Sequence, residues 1–198
     1  MGKTVTGLQT VITTGNKKLG ANVLNVSTSP VIGCGDVPCR KDCYAVKVVR
    51  IHPSAGRAWR NNYRLAHTHP DVYFGDIAKA IERRKPELFR WHVSGEILGQ
   101  WYLDWMNKIA LQFPTVKFLC FTKQFGLDYS AVPSNLNIVF SIWPGWKLPT
   151  NTSFPRAYMQ DGTETRVPPD AKECPGNCSE CQKCWHLGKG QSVVFHKH

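Results

Sequence analysis

The sequence predicts an α/β protein with a mainly parallel sheet, a partial, open TIM-like barrel that ends in a cysteine-rich C-terminal loop. Three observations carry this prediction. Short apolar runs alternate with stretches of helical periodicity between residues 23 and 142, the pattern of successive right-handed βαβ units. At 198 residues the chain suits a single α/β domain spanning 1–198, and it is short for a complete barrel. Beyond Pro149 the composition turns to Pro, Thr, Gly and Asp, and four cysteines then crowd into residues 174–184.

Val23-Leu24-Asn25-Val26-Ser27 reads as the first strand, closed by Ser-Thr-Ser-Pro and Gly-Cys-Gly turns. Helices are expected over residues 43–50 and 57–66, the second carrying Trp59 and Tyr63 four apart. Pro70 suits the first turn of a helix running to Lys85, and Pro86 stops it. Residues 90–93 read as a buried strand. Leu98, Trp101, Tyr102, Trp105 and Ile109 then recur at spacings of 3, 4, 7 and 11, the apolar stripe of an amphipathic helix ending before Pro114. Residues 116–122 are β-branched and aromatic and predict a strand, 125–131 a helix, and 137–142 a strand closed by Trp143-Pro144-Gly145. Val193-Val194-Phe195 predicts a returning strand.

Composition excludes whole classes. Hydrophobic residues make up 42% of the chain and include seven tryptophans, enough apolar mass for a core and too much for intrinsic disorder. No run of 18 apolar residues occurs, and Met1-Gly2-Lys3-Thr4 opens no apolar leader, so a soluble cytoplasmic protein without a membrane partner is expected. Lys and Arg number 25 against 14 Asp and Glu, a formal charge of +11 that favours polyanionic partners.

Seven of the eight cysteines fall in two groups, and in a reducing compartment thiols at short spacings are better read as metal ligands than as disulfides. Cys174-x3-Cys178-x2-Cys181-x2-Cys184 can complete a four-thiolate site from one loop, residues 171–187. Structural zinc sites draw ligand pairs from knuckles roughly 12 to 20 residues apart, whereas consecutive two-residue spacings resemble ferredoxin-type loops. A 4Fe-4S cluster is therefore the first reading and zinc the alternative. Cys34-x4-Cys39-x3-Cys43, within residues 30–45, supplies three ligands at the C-terminal rim of the sheet, where α/β folds keep their chemistry. Three thiolates leave one iron of a second 4Fe-4S cluster open to a small molecule, or to a fourth protein ligand such as Cys120 or a histidine. A zinc knuckle is the alternative there too.

Ser94-Gly95-Glu96 would present a carboxylate at the same rim, so Ser94, Gly95 and Glu96 are candidate cofactor-binding residues and Glu96 the candidate catalytic group, placed to hold an ammonium. The competing reading has Ser94 cap the next helix and Glu96 favour its dipole. Lys123 and Trp143 share the rim, and His67 and His69 sit in a polar turn. Arg57, Arg60 and Arg64 alternate with Trp59 and Tyr63, a mixture suited to phosphate contacts and base stacking, or to a solvated basic face beside an aromatic edge.

Gly15-Asn16-Lys17-Lys18-Leu19-Gly20, Cys39-Arg40-Lys41-Asp42-Cys43-Tyr44-Ala45 and Val93-Ser94-Gly95-Glu96, with Tyr102 and Trp105 downstream, resemble the bacteriophage "gene product 88" family. Cys174-Pro175-Gly176-Asn177-Cys178 and Cys181-Gln182-Lys183-Cys184-Trp185 resemble that family's cysteine-rich close. The resemblance implies a phage-encoded protein acting in the host cytoplasm. A more distant similarity runs to radical S-adenosylmethionine proteins, through a three-cysteine loop after the first strand and a Gly-Glu turn after a later one. The spacing departs from their Cys-x3-Cys-x2-Cys. This similarity implies a minimal open barrel, S-adenosylmethionine as a cofactor and an electron donor as a partner. The functional expectation is a protein with two 4Fe-4S clusters, carrying out radical S-adenosylmethionine-like chemistry or electron transfer. Its rival is a zinc- or cluster-stabilised nucleic-acid-binding module without catalysis.

Overall fold

A computed structural model describes residues 9–15, 18–151 and 153–196. Its strands are β1 (Ile12–Thr14), β2 (Val23–Val26), β3 (Leu88–Trp91), β4 (Lys117–Thr122), β5 (Leu136–Ile142), β6 (Arg156–Gln160), β7 (Lys172–Glu173) and β8 (Ser192–His196). Its helices are α1 (Tyr44–Ile51), α2 (Pro53–Thr68), α3 (Pro70–Arg84), α4 (Gln100–Gln112) and the single turn α5 (Cys178–Cys181).

The strands form one sheet in the order β1-β2-β3-β4-β5-β6-β8-β7. Every pairing is parallel except β1 with β2. The sheet is open, with β1 and β7 at its two edges, so the barrel-like part of the expectation stops at a mostly parallel sheet that does not close.

Alternation along each strand divides the core into two faces. Leu24, Val26, Phe89, Trp91, Phe118, Ile138, Phe140 and Tyr158 pack under Leu65 of α2, Tyr73, Phe74 and Ile77 of α3, and Leu103 and Met106 of α4. The opposite set, Val23, Leu88, Leu119, Val139, Ala157 and Val193, meets no such helix and is covered by Leu19 and Trp185, with Cys174, Cys178 and Cys184 packed against it. A doubly wound fold would put helices on both faces. Here one face is left to loops.

Several boundaries differ from the sequence reading. The strand expected at 90–93 runs two residues earlier, from Leu88 to Trp91, because His92 adopts φ +56° and ends the extended backbone. The helix expected over 125–131 is a loop: Phe125 and Tyr129, four apart, instead insert as rings against Phe140, with Phe154 joining them at 5.2–5.3 Å between centroids. These rings cover the part of the sheet that a crossover helix would have covered. β1, β6 and β7 were not signalled; β6 lies within the Pro- and Thr-rich stretch and gains its place through register with β5 and β8. Among the described residues no helix is long and apolar enough to cross a membrane.

Candidate metal centre

Two loops approach the uncovered face from opposite ends of the chain. The later loop is the crossover between parallel β7 and β8, and the sheet grips it at several points. The Cys174 N–H donates to Val194 O at 3.0 Å and the Cys178 N–H to Lys18 O at 2.8 Å. Asn137, projecting from β5, donates to Cys184 O at 2.8 Å and Leu187 O at 3.1 Å. The buried Trp185 indole donates to Phe89 O at 3.1 Å. A buried amide or indole without a partner would cost about 1–3 kcal/mol, so these contacts fix the loop as well as cover the sheet.

The earlier loop leaves β2 and enters a 3-10 turn, Pro38–Asp42, before α1. The Arg40 guanidinium donates to Gly35 O at 3.0 Å, and the Tyr44 hydroxyl donates to Val93 O. The Ser94-Gly95 turn is bound to the same segment: Thr28 N–H donates to Ser94 O at 2.9 Å, and Ser94 Oγ donates to Thr28 O at 3.2 Å. Gly95 has φ +101°, and a Cβ there would stand 2.0 Å from Thr28 Oγ1, so only glycine fits. Ser94 thus ties the β3 end to the β2 end rather than capping a helix; α4 begins at Gln100 with no side-chain cap.

Between the loops lies a cavity of about 610 Å³, and Cys34, Cys39, Cys43, Cys174, Cys178, Cys181 and Cys184 all line it. No disulfide joins them. Ser94, Gly95, Glu96, Lys123 and Trp143 line the same space. Its ionic lining is basic, with Lys18, Lys47, Arg90, Lys123 and Lys183 against Asp42 and Glu96. Burial raises the Cys34 thiol to about 12, with Glu96 adding to the effect, and raises Cys184 to about 12 against the pull of Arg90. Burial likewise raises Cys39 and Cys178, against Lys123 and Arg90 respectively. Without a bound cation these four thiols are therefore protonated at neutral pH; a coordinating metal reverses that preference. Among the described residues, no three His, Cys, Asp or Glu side chains converge as one metal ion would require.

Glu96 is buried and already engaged. Oε1 accepts from Thr122 Oγ1 at 2.6 Å and from the Ile97 N–H at 2.9 Å, and Oε2 accepts from the Lys123 N–H at 2.9 Å. A carboxylate has about four acceptor positions, so one on Oε2 is without a partner among the described residues. Cys120 stands apart from the other seven. It faces the helix layer, fully buried, with Sγ 3.6 Å from His92 Nδ1; His92 Nε2 lies 3.1 Å from the Tyr102 hydroxyl, itself 2.8 Å from that of Tyr73. The sheet separates Cys120 from the cavity, so it is not placed as the fourth ligand of the Cys34 group. His67 packs at a tilt on Tyr63 and edge-on against Trp101, and His69 bonds Thr68; neither lines the cavity. Arg57, Arg60 and Arg64 occupy one exposed stripe of α2, away from the cysteines.

Sequence reasoning missed Arg90 and Arg166. Arg90 carries a signal in hindsight, an arginine inside the otherwise apolar run Leu88-Phe89-Arg90-Trp91. Arg166 pairs with Glu164 and donates to Trp143 O and Trp146 O, each at 2.8 Å, which fixes the Trp143 side of the cavity wall. Nothing in the local sequence marks that role.

The fold and site define a class of α/β proteins with helices on one face of an open sheet and a cysteine-walled cavity on the other. The chain belongs to the Gene product 88 family, whose model matches residues 10–167. It is 23% identical over 212 residues to the Gene 88 protein of Mycobacterium phage L5, covering 91% of this chain and 89% of that one. The family model ends short of Cys174, so the expected likeness of the terminal cysteine group to the family is not part of that match. Residues 16 and 17 of the Gly15–Gly20 motif lie outside the described residues. No solved structure matches the chain.

Proposed function

We propose that this is an iron-sulfur protein with two 4Fe-4S clusters facing one cavity, held by Cys34, Cys39 and Cys43 on one side and by Cys174, Cys178, Cys181 and Cys184 on the other. The observation that carries it is that seven cysteines from two distant segments wall one space while none pairs in a disulfide. The basic lining supports the reading, because thiolate-ligated clusters are anionic. Because no three ligands converge, both loops must draw inward on loading. When bound, the three-cysteine cluster would supply single electrons, to S-adenosylmethionine in a radical enzyme or to a redox partner in an electron carrier. The open Oε2 position of Glu96 would accept an ammonium group, and the Ser94-Gly95 turn would hold that carboxylate in register with the cavity.

Anaerobic purification with iron and acid-labile sulfide analysis tests this. Equal iron and sulfide, halved by Cys39→Ala and by Cys178→Ala separately, is the expected result. Stoichiometric zinc without sulfide, or a metal-free folded protein grown with ample iron, would falsify it. Formation of 5'-deoxyadenosine by the reduced protein distinguishes the enzyme from the carrier. The protein would act in the host cytoplasm.

A second reading has its own observation. Arg57, Arg60 and Arg64 share one exposed stripe of α2, and no carboxylate lies within ion-pair distance of them among the described residues. A nucleic-acid-binding face there predicts DNA or RNA retention that falls steeply with salt and is lost on reversing the three charges. Absence of retention at low salt rejects it.

A further inference from the structure

We propose that Arg90 forms an oxyanion subsite on the cavity floor, where it holds the carboxylate or phosphate of a small molecule lying between the two cysteine loops. Arg90 is on β3, on the uncovered side of the sheet, with Asn25 and Leu119 as its register partners on the neighbouring strands. Neither can balance a positive charge. No carboxylate lies within 4.0 Å of it among the described residues, and its Nε is buried without a hydrogen-bond partner. No thiol accepts from it either, although it lines the same cavity as the cysteines.

An unpaired guanidinium in a half-buried position is costly unless something anionic meets it. Its position also suits recognition. The group lies over the Phe121 ring, 4.6 Å from the centroid, a cation–π contact that restrains it. A guanidinium held in this way offers paired N–H donors whose spacing matches two oxygens of a carboxylate or phosphate. The cavity, at about 610 Å³, lies within the range that small-molecule sites occupy. Phe121, Phe195 and Trp143 give it apolar wall, and Lys123 adds a second cation farther toward the rim. Arg90 would therefore anchor one end of the ligand and leave the other end beside the cysteines.

This inference does not require iron, and the test separates the two. Inorganic phosphate, citrate and adenosine 5'-monophosphate are titrated by calorimetry into the wild-type protein, Arg90→Gln, Arg90→Lys and the surface control Arg84→Gln, with iron and sulfide measured on each preparation. At least one probe should bind the wild type and Arg84→Gln. Affinity should fall about ten- to a hundredfold in Arg90→Gln and recover in part in Arg90→Lys. Circular dichroism confirms that each variant is folded. Binding with no iron present sustains the subsite and counts against the cluster reading. Failure of all three probes, or equal affinity in Arg90→Gln, overturns the subsite even where iron and sulfide are full. So does a result in which Arg90→Gln changes only the iron content, because the cluster would then be the anion that Arg90 balances.

Discussion

The two faces of this sheet are made by alternate residues of the same strands, yet they are different chemical environments. On β4, Phe118 and Cys120 turn to the helices, while Leu119 and Phe121 turn to the cavity. The covered face is dense with rings: Phe74 stacks on Trp105 at 5.2 Å, and Trp91, Tyr102 and Phe89 pack around them. Tyr73, Tyr102, His92 and Cys120 form one polar chain there, while the buried Trp91 indole N–H has no partner. The other face keeps seven thiols and an unpaired arginine around open space. Stability is concentrated on one side and chemistry on the other, so substitutions on the two faces should fail differently.

The largest effect is expected from Trp91→Ala, which empties a fully buried site under the helices and should cost about 3–5 kcal/mol by denaturant unfolding. On the cavity face, Trp185→Ala should cost about 3 kcal/mol, and its sharper signature is local. With the indole bond to Phe89 gone, Cys184 should label with a thiol reagent many-fold faster while Cys120 stays protected. Equal labelling of both thiols would contradict the separation of the faces.

Gly95→Ala should destabilise by about 1–3 kcal/mol, because the new Cβ meets Thr28 in a left-handed backbone. Its effect should reach the three-cysteine loop before the four-cysteine loop, as hydrogen exchange would report. A smaller effect depends on pH. Burial, with Arg90 adding to it, holds His92 neutral down to about 3, whereas unfolded it titrates near 6.5. Protons therefore favour the unfolded chain as pH falls below 6.5, and stability from this group is complete above that value and lost on the way down. His92→Gln should flatten the limb between pH 6.5 and 3 in urea midpoints. The smallest effect is Cys120→Ala, which should leave iron and sulfide content unchanged if the sheet separates it from the site.

The helices and the central strands were legible because they bury one stripe or one run, and burial leaves a period in the sequence. The cysteine groups were legible from spacing alone. Their meeting in one cavity was not, since it depends on β8 pairing between β6 and β7 to bring the second loop over the sheet. The segment 125–131 misled because Phe125 and Tyr129 have helical spacing while serving as a ring plug against Phe140. Glu96 lines the cavity with the cysteines, but its three hydrogen bonds come from residues near and far in the chain, and no local pattern announces them. The competing reading, with Ser94 as a helix cap, rests on its place before the helix, whereas its partners lie on the segment after β2.

Parallel strands have to be joined by a return path, and between β2 and β3 and between β3 and β4 that path is stiffened by helices, α3 and α4 among them. Between β7 and β8 the return carries one turn of α-helix and one 3-10 turn, held to the sheet by the hydrogen bonds of Asn137 and Trp185. An ion shared by Cys174, Cys178, Cys181 and Cys184 would act there as a brace, and loading would make the segment markedly harder for a protease to cut.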